Sequence, residues 1–176
     1  MQAVCKGGVC IVMARSKQPN SSKTIIKFKR KLASVFINDE RVVELINNDK
    51  AEVPEDLIYK NIFDFIRVPE APEEQLNYIC YRVYMPEVYQ GSSLYQKLII
   101  EIYVIAHQGE MITGEGATRI DLLSEEIEYL LNGNTGFGKK PLELISNEEE
   151  GVGQNHRCRV LRYEAQEVDL CGNSTN

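Results

Sequence analysis

Residues 94–107 carry the sequence LYQKLIIEIYVIAH, a long run of β-favouring residues. A second run of this type, NYICYRVYM, occupies residues 77–85, and a connection centred on Gly91 joins the two. Aliphatic and aromatic side chains at nearly every position are typical of strands that are buried on both faces. We therefore predict two neighbouring antiparallel strands joined by a hairpin loop at residues 86–93.

Apolar residues on either side of these strands recur at helical spacing, which predicts helices that cover the sheet. The first helix is expected over residues 24–37, and a shorter helix follows it with Asn38 as its N-cap. A further helix over residues 119–132 opens with Thr118 and Asp121, which have the spacing of a capping box. The expected core joins these helices to the long strand through Phe28, Leu32, Val35, Phe36, Leu123, Ile127, Leu130, Ile100, Ile102 and Val104.

The rest of the chain is expected to complete the sheet. Residues 54–72 predict a turn or short helix that leads to an edge strand. Residues 142–146 predict a short strand, residues 147–155 an acidic loop that contains glycine, and residues 157–168 a final long strand. The predicted fold class is α+β, with a mixed, mainly antiparallel sheet packed against two helices.

Charge divides the chain into unlike parts. Residues 1–38 contain eight basic residues and no acid, whereas the remaining 12 basic and 26 acidic residues give the rest a charge of −14. We expect a flexible basic arm at residues 1–23, a single domain at residues 24–168 and a polar tail at residues 169–176. The arm could contact nucleic acid, but no aromatic residues interleave with its lysines as a stacking surface requires. A solvated arm, or one that contacts an acidic neighbouring subunit, is favoured, and nucleic acid is not the expected partner.

The five cysteines are odd in number and irregularly spaced, which predicts reduced thiols and not a disulfide framework. Cys5 and Cys10 could be combined with His156 and Cys158 as zinc ligands, but their spacing matches no standard pattern, so no metal is expected. No apolar stretch is long enough for a membrane span or a signal-peptide core. We expect a soluble protein made in a reducing cytoplasm.

No motif predicts catalysis or cofactor binding. His107 and His156 are the only histidines, and each is expected as a partly exposed residue at a strand end, without a nucleophile facing it. The loop from Gly114 to Arg119 lacks the third glycine of a dinucleotide fingerprint and the lysine of a P-loop. We expect its glycines to permit positive φ before a capped helix. The chain is therefore predicted not to be an enzyme and to need no cofactor.

Subunit contacts are the function that remains. Extended loops on a compact sheet suit such contacts, and the loops at residues 86–93, 108–117 and 147–155 are the candidates. The residues expected to make these contacts are Glu87, Tyr89, Gln90, Glu115, Arg119, Glu148, Glu149 and Glu150.

The succession of elements and several phrases within them resembles a family of viral proteins. The phrases are LIYKNIF at residues 57–63, YIC at 78–80, LIIEIYVIAH at 98–107, TRID at 118–121 and HRCR at 156–159. From about residue 24 to residue 168 the chain resembles small neck and tail proteins of bacteriophages that infect Gram-positive bacteria. The order of elements is most similar to that of tail terminator, or tail-completion, proteins.

This resemblance implies a structural virion protein. It implies a homo-oligomeric ring, usually a hexamer, which caps the tail tube, ends its polymerisation and joins it to the head-connector or head-closure protein. Two alternatives remain open, namely another head–tail joining protein of the neck and a cytoplasmic module that binds nucleic acid through residues 15–31. An enzyme comes third, because no catalytic motif supports it.

Overall fold

The structure is a computed structural model. It describes residues 20–67, 76–86, 95–152 and 155–169, together with the backbone of two short strands near the N-terminus. These two strands, β1 (Val4–Lys6) and β2 (Val9–Ile11), pair as an antiparallel hairpin.

A single five-stranded sheet organises the rest of the described chain. Its strands are β3 (Ile62–Phe63), β4 (Tyr78–Tyr84), β5 (Tyr95–His107), β6 (Glu143–Val152) and β7 (His156–Asp169). They lie in the order β3-β4-β5-β7-β6, and every pair is antiparallel except β3 with β4. The predicted fold class is confirmed, and so is the antiparallel pairing of the two strands that flank residues 86–93.

Three α-helices accompany the sheet: α1 (Ser21–Ile37), α2 (Glu40–Ile46) and α3 (Arg119–Leu131). Short 3-10 helices at Pro54–Leu57 and Gln108–Glu110 lead into and out of the sheet. The first of them confirms the short helix predicted ahead of an edge strand, which is β3. Helix α1 begins three residues before the predicted position, because the Asn20 side chain accepts a hydrogen bond from the Lys23 amide at 3.0 Å.

The predicted cap of α2 is wrong. Asp39 caps this helix and accepts a hydrogen bond from the Val42 amide at 2.8 Å. Asn38 belongs to the preceding helix, since its side-chain amide donates to the Ser34 carbonyl at 2.7 Å and so closes the last turn of α1. One residue thus ends a helix and its neighbour begins the next.

The start of α3 agrees with the sequence prediction. Thr118 and Asp121 form the capping box, with both reciprocal hydrogen bonds present. Gly114 and Gly116 have φ values of +80° and +81°, the left-handed region expected of this loop. Glycine is required there because a side chain disfavours that conformation.

The core lies between the helices and one face of the sheet. Its predicted members are buried, except that Val35 and Leu130 are only partly buried at the edge of the helix layer. Phe137, in the connection after α3, is 1% exposed and belongs to the same core. Its ring meets that of Phe28 edge to face, with centroids 5.2 Å apart. The connection after α3 is therefore packed onto α1.

The predicted acidic loop at residues 147–155 is wrong for residues 147–152. Strand β6 continues from Glu143 through Val152, so Glu148, Glu149 and Glu150 lie in an edge strand. The glutamates are tolerated because this part of β6 is exposed to solvent and because the paired strand β7 carries arginines. Glu149 pairs directly with Arg159 in the strand register. Cross-strand charge pairing of this kind stabilises a strand whose composition suggests a loop.

Candidate functional site

A buried carboxylate lies on the face of the sheet opposite the helices, which we call the helix-free face. Glu101 in β5 is 1% exposed and accepts hydrogen bonds from Arg82 Nε at 2.5 Å and Arg162 Nε at 2.7 Å. The hydroxyls of Tyr84 and Tyr103 donate to the same carboxylate at 2.8 and 3.0 Å. Both arginines lie directly opposite Glu101 in the strand register, so the pairing of β4, β5 and β7 builds the network.

The negative charge of the Glu101 carboxylate is compensated by the four groups that donate hydrogen bonds to it. Burial raises the pKa of the Glu101 carboxyl, but the hydrogen bonds from two guanidinium groups and two hydroxyls outweigh it and lower the pKa to about 2. A general base acting near neutral pH needs a pKa close to that pH. The side chains of Arg82 and Arg162 are 47% and 33% exposed, so Glu101 is covered mainly by its own partners. The arrangement fixes strand register and presents two partly exposed guanidinium groups.

An apolar cluster occupies the other end of the helix-free face. Its buried members are Phe63, Tyr78, Cys80, Ile105, Cys158 and Val160. Cys80 and Cys158 are free thiols, as predicted, and burial raises the pKa of both, that of Cys158 to about 12. Thiols held protonated in this way are poor nucleophiles. The side chains of the other three cysteines lie outside the described residues.

The two histidines meet across the sheet. His107 in β5 lies opposite His156 in β7, with ring centroids 5.1 Å apart. His107 Nδ1 accepts a hydrogen bond from the Gly109 amide at 3.1 Å. The expectation of partial exposure is wrong for His156, which is 4% exposed because the Tyr78 ring also packs near it.

The structure separates the residues predicted as subunit contacts. Glu115 forms an ion pair with Arg41 at the start of α2. Arg119 donates to the carbonyls of Glu110 at 2.6 Å and Leu45 at 2.8 Å, so its guanidinium ties the glycine loop to the end of α2. The Glu110 carbonyl belongs to the 3-10 helix at Gln108–Glu110, which precedes the glycine loop. The Glu115 and Arg119 side chains are thus engaged within the subunit. Glu87, Tyr89 and Gln90 lie outside the described residues.

The three glutamates of β6 are exposed along a free sheet edge. Glu148 lies 3.7 Å from Arg162, and Glu149 lies 3.8 Å from Arg159. Glu150 makes no ion pair within the described part of the chain. Among the strands that the structure describes, β6 pairs only with β7, so its other side presents backbone donors and acceptors without a partner in the described chain. An acidic, ten-residue edge strand is the result.

A groove of about 710 Å³ lies between α3 and strands β6 and β7, and we call it the acidic groove. Its lining residues are Asp121, Ser124, Glu125, Glu128, Tyr129, Asn132, Asn147 and Arg159. The one guanidinium is already paired with Asp121. Glu125 and Glu128 make no ion pair with any described residue, and Tyr129, on the same helix, is 81% exposed. The groove therefore carries uncompensated negative charge around an exposed aromatic ring.

The exposed face of α1 has the opposite charge, and we call it the basic face. Lys23, Lys27 and Arg30 follow one another at helical spacing and make no ion pair within the described ranges. Ile26 lies among them and is 49% exposed. The first turn of α1 contains no acidic residue, although a helix N-terminus favours negative charge. This distribution of charge does not stabilise the isolated subunit.

Replacing Lys23 with glutamate is therefore expected to stabilise the subunit. A carboxylate in the first turn interacts favourably with the helix dipole, by about 0.5 kcal/mol. Thermal unfolding of the Lys23→Glu variant should show a melting temperature slightly above that of the unmodified chain. The matched control, Lys23→Gln, removes the positive charge without adding a carboxylate and should raise stability less. Equal or lower stability of Lys23→Glu would contradict the expectation.

Sequence reasoning missed the Glu101 network and the acidic groove. A signal for the network was present, since Glu101 and Arg82 are each a lone charge inside an apolar strand. A charge in such a position needs a partner when buried. The groove left no comparable signal, because it brings α3 together with β6, which sequence analysis divided into a strand and a loop.

No helix in the described part of the chain is long and apolar enough to cross a membrane. Within the same ranges, no three His, Cys, Asp or Glu side chains are grouped as metal ligands.

Comparison with known proteins identifies a family. A family model described as YomW matches residues 39–165, from the start of α2 to the second half of β7. The chain belongs to the YomW family. YomW is a phage-associated family, so the resemblance to bacteriophage proteins is confirmed at this level.

Other comparisons add little. No curated protein matches the chain. One solved structure without a functional name is similar at 13% sequence identity and a TM-score of 0.44, with 84% of this chain and 97% of that chain covered. A likeness at this level carries no argument.

Proposed function

We propose that this YomW protein is a structural component of the phage neck or tail. In this proposal, copies assemble into a ring, six being the expected number, that caps the tail tube and ends its polymerisation. The ring also joins the tube to the head-connector or head-closure protein. The phage association of the family and the resemblance to tail-completion proteins support this function, which involves no enzymatic step and no cofactor.

The observation that carries the proposal is the exposed edge of β6. Edge strands with free backbone groups are templates for pairing with another chain. Glu148, Glu149 and Glu150 make one kind of pairing unfavourable, since two copies of β6 side by side would bring like charges together. A symmetric dimer through this edge is therefore disfavoured. Contact with a different surface of a neighbouring protein is favoured, and head-to-tail contacts between identical copies form rings when the rotation between copies closes.

Another neck protein, such as a head-closure or adaptor protein, would use the same surfaces and remains the nearest alternative. A nucleic-acid-binding module is the alternative from a different class. The unpaired cations on the basic face of α1 favour it, since lysine and arginine neutralise phosphates. It predicts binding that weakens steeply as salt rises.

Electron microscopy together with mass measurement tests the proposal. The protein would be purified and studied alone and mixed with the tail-tube protein encoded by the same phage genome. Closed rings of about six copies, or tubes of limited length with caps at one end, are expected. A monomer that leaves tube length unchanged would contradict the proposal. Salt-sensitive binding to duplex DNA by that monomer would then support the nucleic-acid alternative.

Reversing charge on the β6 edge should weaken assembly without unfolding the subunit. The suitable variant combines Glu143→Lys and Glu150→Lys, because both residues are exposed and neither has an ion-pair partner in the described chain. Capping of tubes, measured as the distribution of tube lengths, should decline, while the melting temperature stays within a few degrees. The matched control, Glu52→Lys with Glu55→Lys, changes the same charge beside β3, at the opposite edge of the sheet from β6. Unchanged capping would remove the β6 edge from the interface.

A further inference from the structure

Two surfaces of the subunit match each other in pattern and oppose each other in charge. The basic face of α1 surrounds the exposed Ile26 with Lys23, Lys27 and Arg30. The acidic groove surrounds the exposed Tyr129 with Glu125 and Glu128. An apolar centre with a charged rim is the usual composition of a protein interface.

These charges are not balanced inside the subunit. No described residue forms an ion pair with the three cations or with the two groove glutamates named above. Several charges elsewhere are paired within the subunit, as the ion pairs Arg41–Glu115 and Arg162–Glu101 show. The pKa of Lys31, next on α1, is lowered by burial and by the nearby Lys27, as expected where positive charge accumulates.

A buried hydroxyl in the groove is an independent observation. Ser124 on α3 is 3% exposed and lines the acidic groove, and its Oγ has no hydrogen-bond partner. Buried hydroxyl groups are normally hydrogen-bonded, so this unpaired one marks a part of the groove wall where a further polar partner would be favourable. A lysine ammonium group carries three donors and matches the exposed glutamates beside it.

The two surfaces belong to opposite halves of the sheet. Helix α1 packs on β4, beside the β3 edge, whereas α3 packs on β5 and β7, beside the β6 edge. Because of this separation, the basic face of one copy can meet the acidic groove of the next while its own groove stays open. A contact of this type is head-to-tail and repeats from copy to copy.

We propose that the basic face of α1 in one copy docks into the acidic groove of a neighbouring copy. The inference rests on the proposed ring function and identifies the two surfaces that join the copies. Ile26 packs against Tyr129, and the cations of α1 face Glu125 and Glu128. The β6 edge, which borders the groove, remains beside this contact and available to the tube or connector.

Charge-reversal variants test the contact. One double variant combines Lys27→Glu with Arg30→Glu and reverses the basic face, and another combines Glu125→Lys with Glu128→Lys and reverses the groove. The first places a carboxylate four residues from both Lys23 and Lys31, a spacing that supports a helix, so this variant should fold. Lys50→Glu with Lys60→Glu is the matched control, because both lysines are exposed and lie on neither surface. Circular dichroism establishes that each variant is folded.

Association would be measured by sedimentation and native mass spectrometry, alone and with tail-tube protein. Each reversed variant should associate on the order of 100-fold more weakly than the unmodified chain, and the control should not. Mixing the two reversed variants in equal amounts should restore assembly, because each then meets a surface of opposite charge. In the restored rings the two variants must alternate, so native masses should show equal numbers of each.

The outcomes separate the contact from the proposed function. Reversed variants that assemble like the unmodified chain, or a mixture that fails to restore assembly, would overturn the contact and leave the ring intact. Charge-dependent association into dimers or open filaments that do not cap tubes would support the contact and contradict the ring function. An unmodified chain that never associates, with or without tubes, would overturn both.

Discussion

Replacing Glu101 with glutamine is expected to lower the free energy of unfolding by about 2 to 3 kcal/mol. The substitution keeps the shape of the side chain but leaves Arg82 and Arg162 facing a neutral amide on the helix-free face. The amide can accept from only one side, so at least one of the four donors loses its partner. Chemical denaturation with urea would measure the loss. A change below about 0.5 kcal/mol, as for an exposed pair, would contradict it.

The same carboxylate predicts a specific dependence on pH. Because the pKa of folded Glu101 is lowered to about 2 from the ordinary value of 4.5, its stabilising effect is fully present above pH 4.5. The effect is lost as the pH falls from 4.5 towards 2. Stability of the unmodified chain should therefore decline across this range, and that of Glu101→Gln should decline less. Glu150→Gln, which changes an exposed edge residue, is the control and should follow the unmodified chain.

The pairing of β4 with β5 could be predicted from the sequence, whereas the hydrogen-bond network of Glu101 could not. The runs at residues 77–85 and 94–107 are dense in β-branched and aromatic residues, and only one short connection joins them. These local properties are sufficient to predict an antiparallel pair. Arg162, however, is 61 residues away from Glu101 in the sequence and reaches it only because β7 pairs with β5. The residues around Glu101 in the sequence therefore give no indication that Arg162 is its partner.

Local capping chemistry was predicted well at one helix and wrongly at another for a physical reason. At α3, Thr118 and Asp121 are the only pair with the capping-box spacing, and the structure uses them. At α2, Asn38 and Asp39 are adjacent and either can cap a helix. The outcome depends on where α1 ends, and Asn38 is taken by the Ser34 carbonyl.

Strand β6 was harder to predict because the interactions that stabilise it come from residues of β7. Residues 147–152 read NEEEGV, a composition typical of a loop. Arg159 and Arg162 on β7 lie near two of these glutamates and convert a like-charge run into cross-strand ion pairs. Glu148, Glu149 and Glu150 are exposed, as their predicted role in subunit contacts requires, but they lie along an edge strand and not in a loop.

Phe137→Ala is expected to lower the free energy of unfolding by about 3 to 4 kcal/mol, more than Glu101→Gln. Phe137 is 1% exposed, meets Phe28 edge to face at 90°, and has the Lys31 ammonium 4.8 Å from its ring centre. Removing the ring opens a cavity between α1 and the connection after α3, and it also removes the aromatic contact and the cation–π contact. Thermal or urea unfolding would measure the effect.

Tyr129→Ala is the matched control, because it removes an aromatic ring of similar size from the same part of the chain. Tyr129 is 81% exposed, so its loss should change the stability of the subunit by less than about 0.5 kcal/mol. If the acidic groove receives the basic face of a neighbour, the same variant should weaken association on the order of tenfold. Stability and assembly would then depend on different aromatic residues only eight positions apart. A Tyr129→Ala variant that loses stability as Phe137→Ala does would mean that this ring supports the fold, and one that changes neither property would mean that the groove is not an interface.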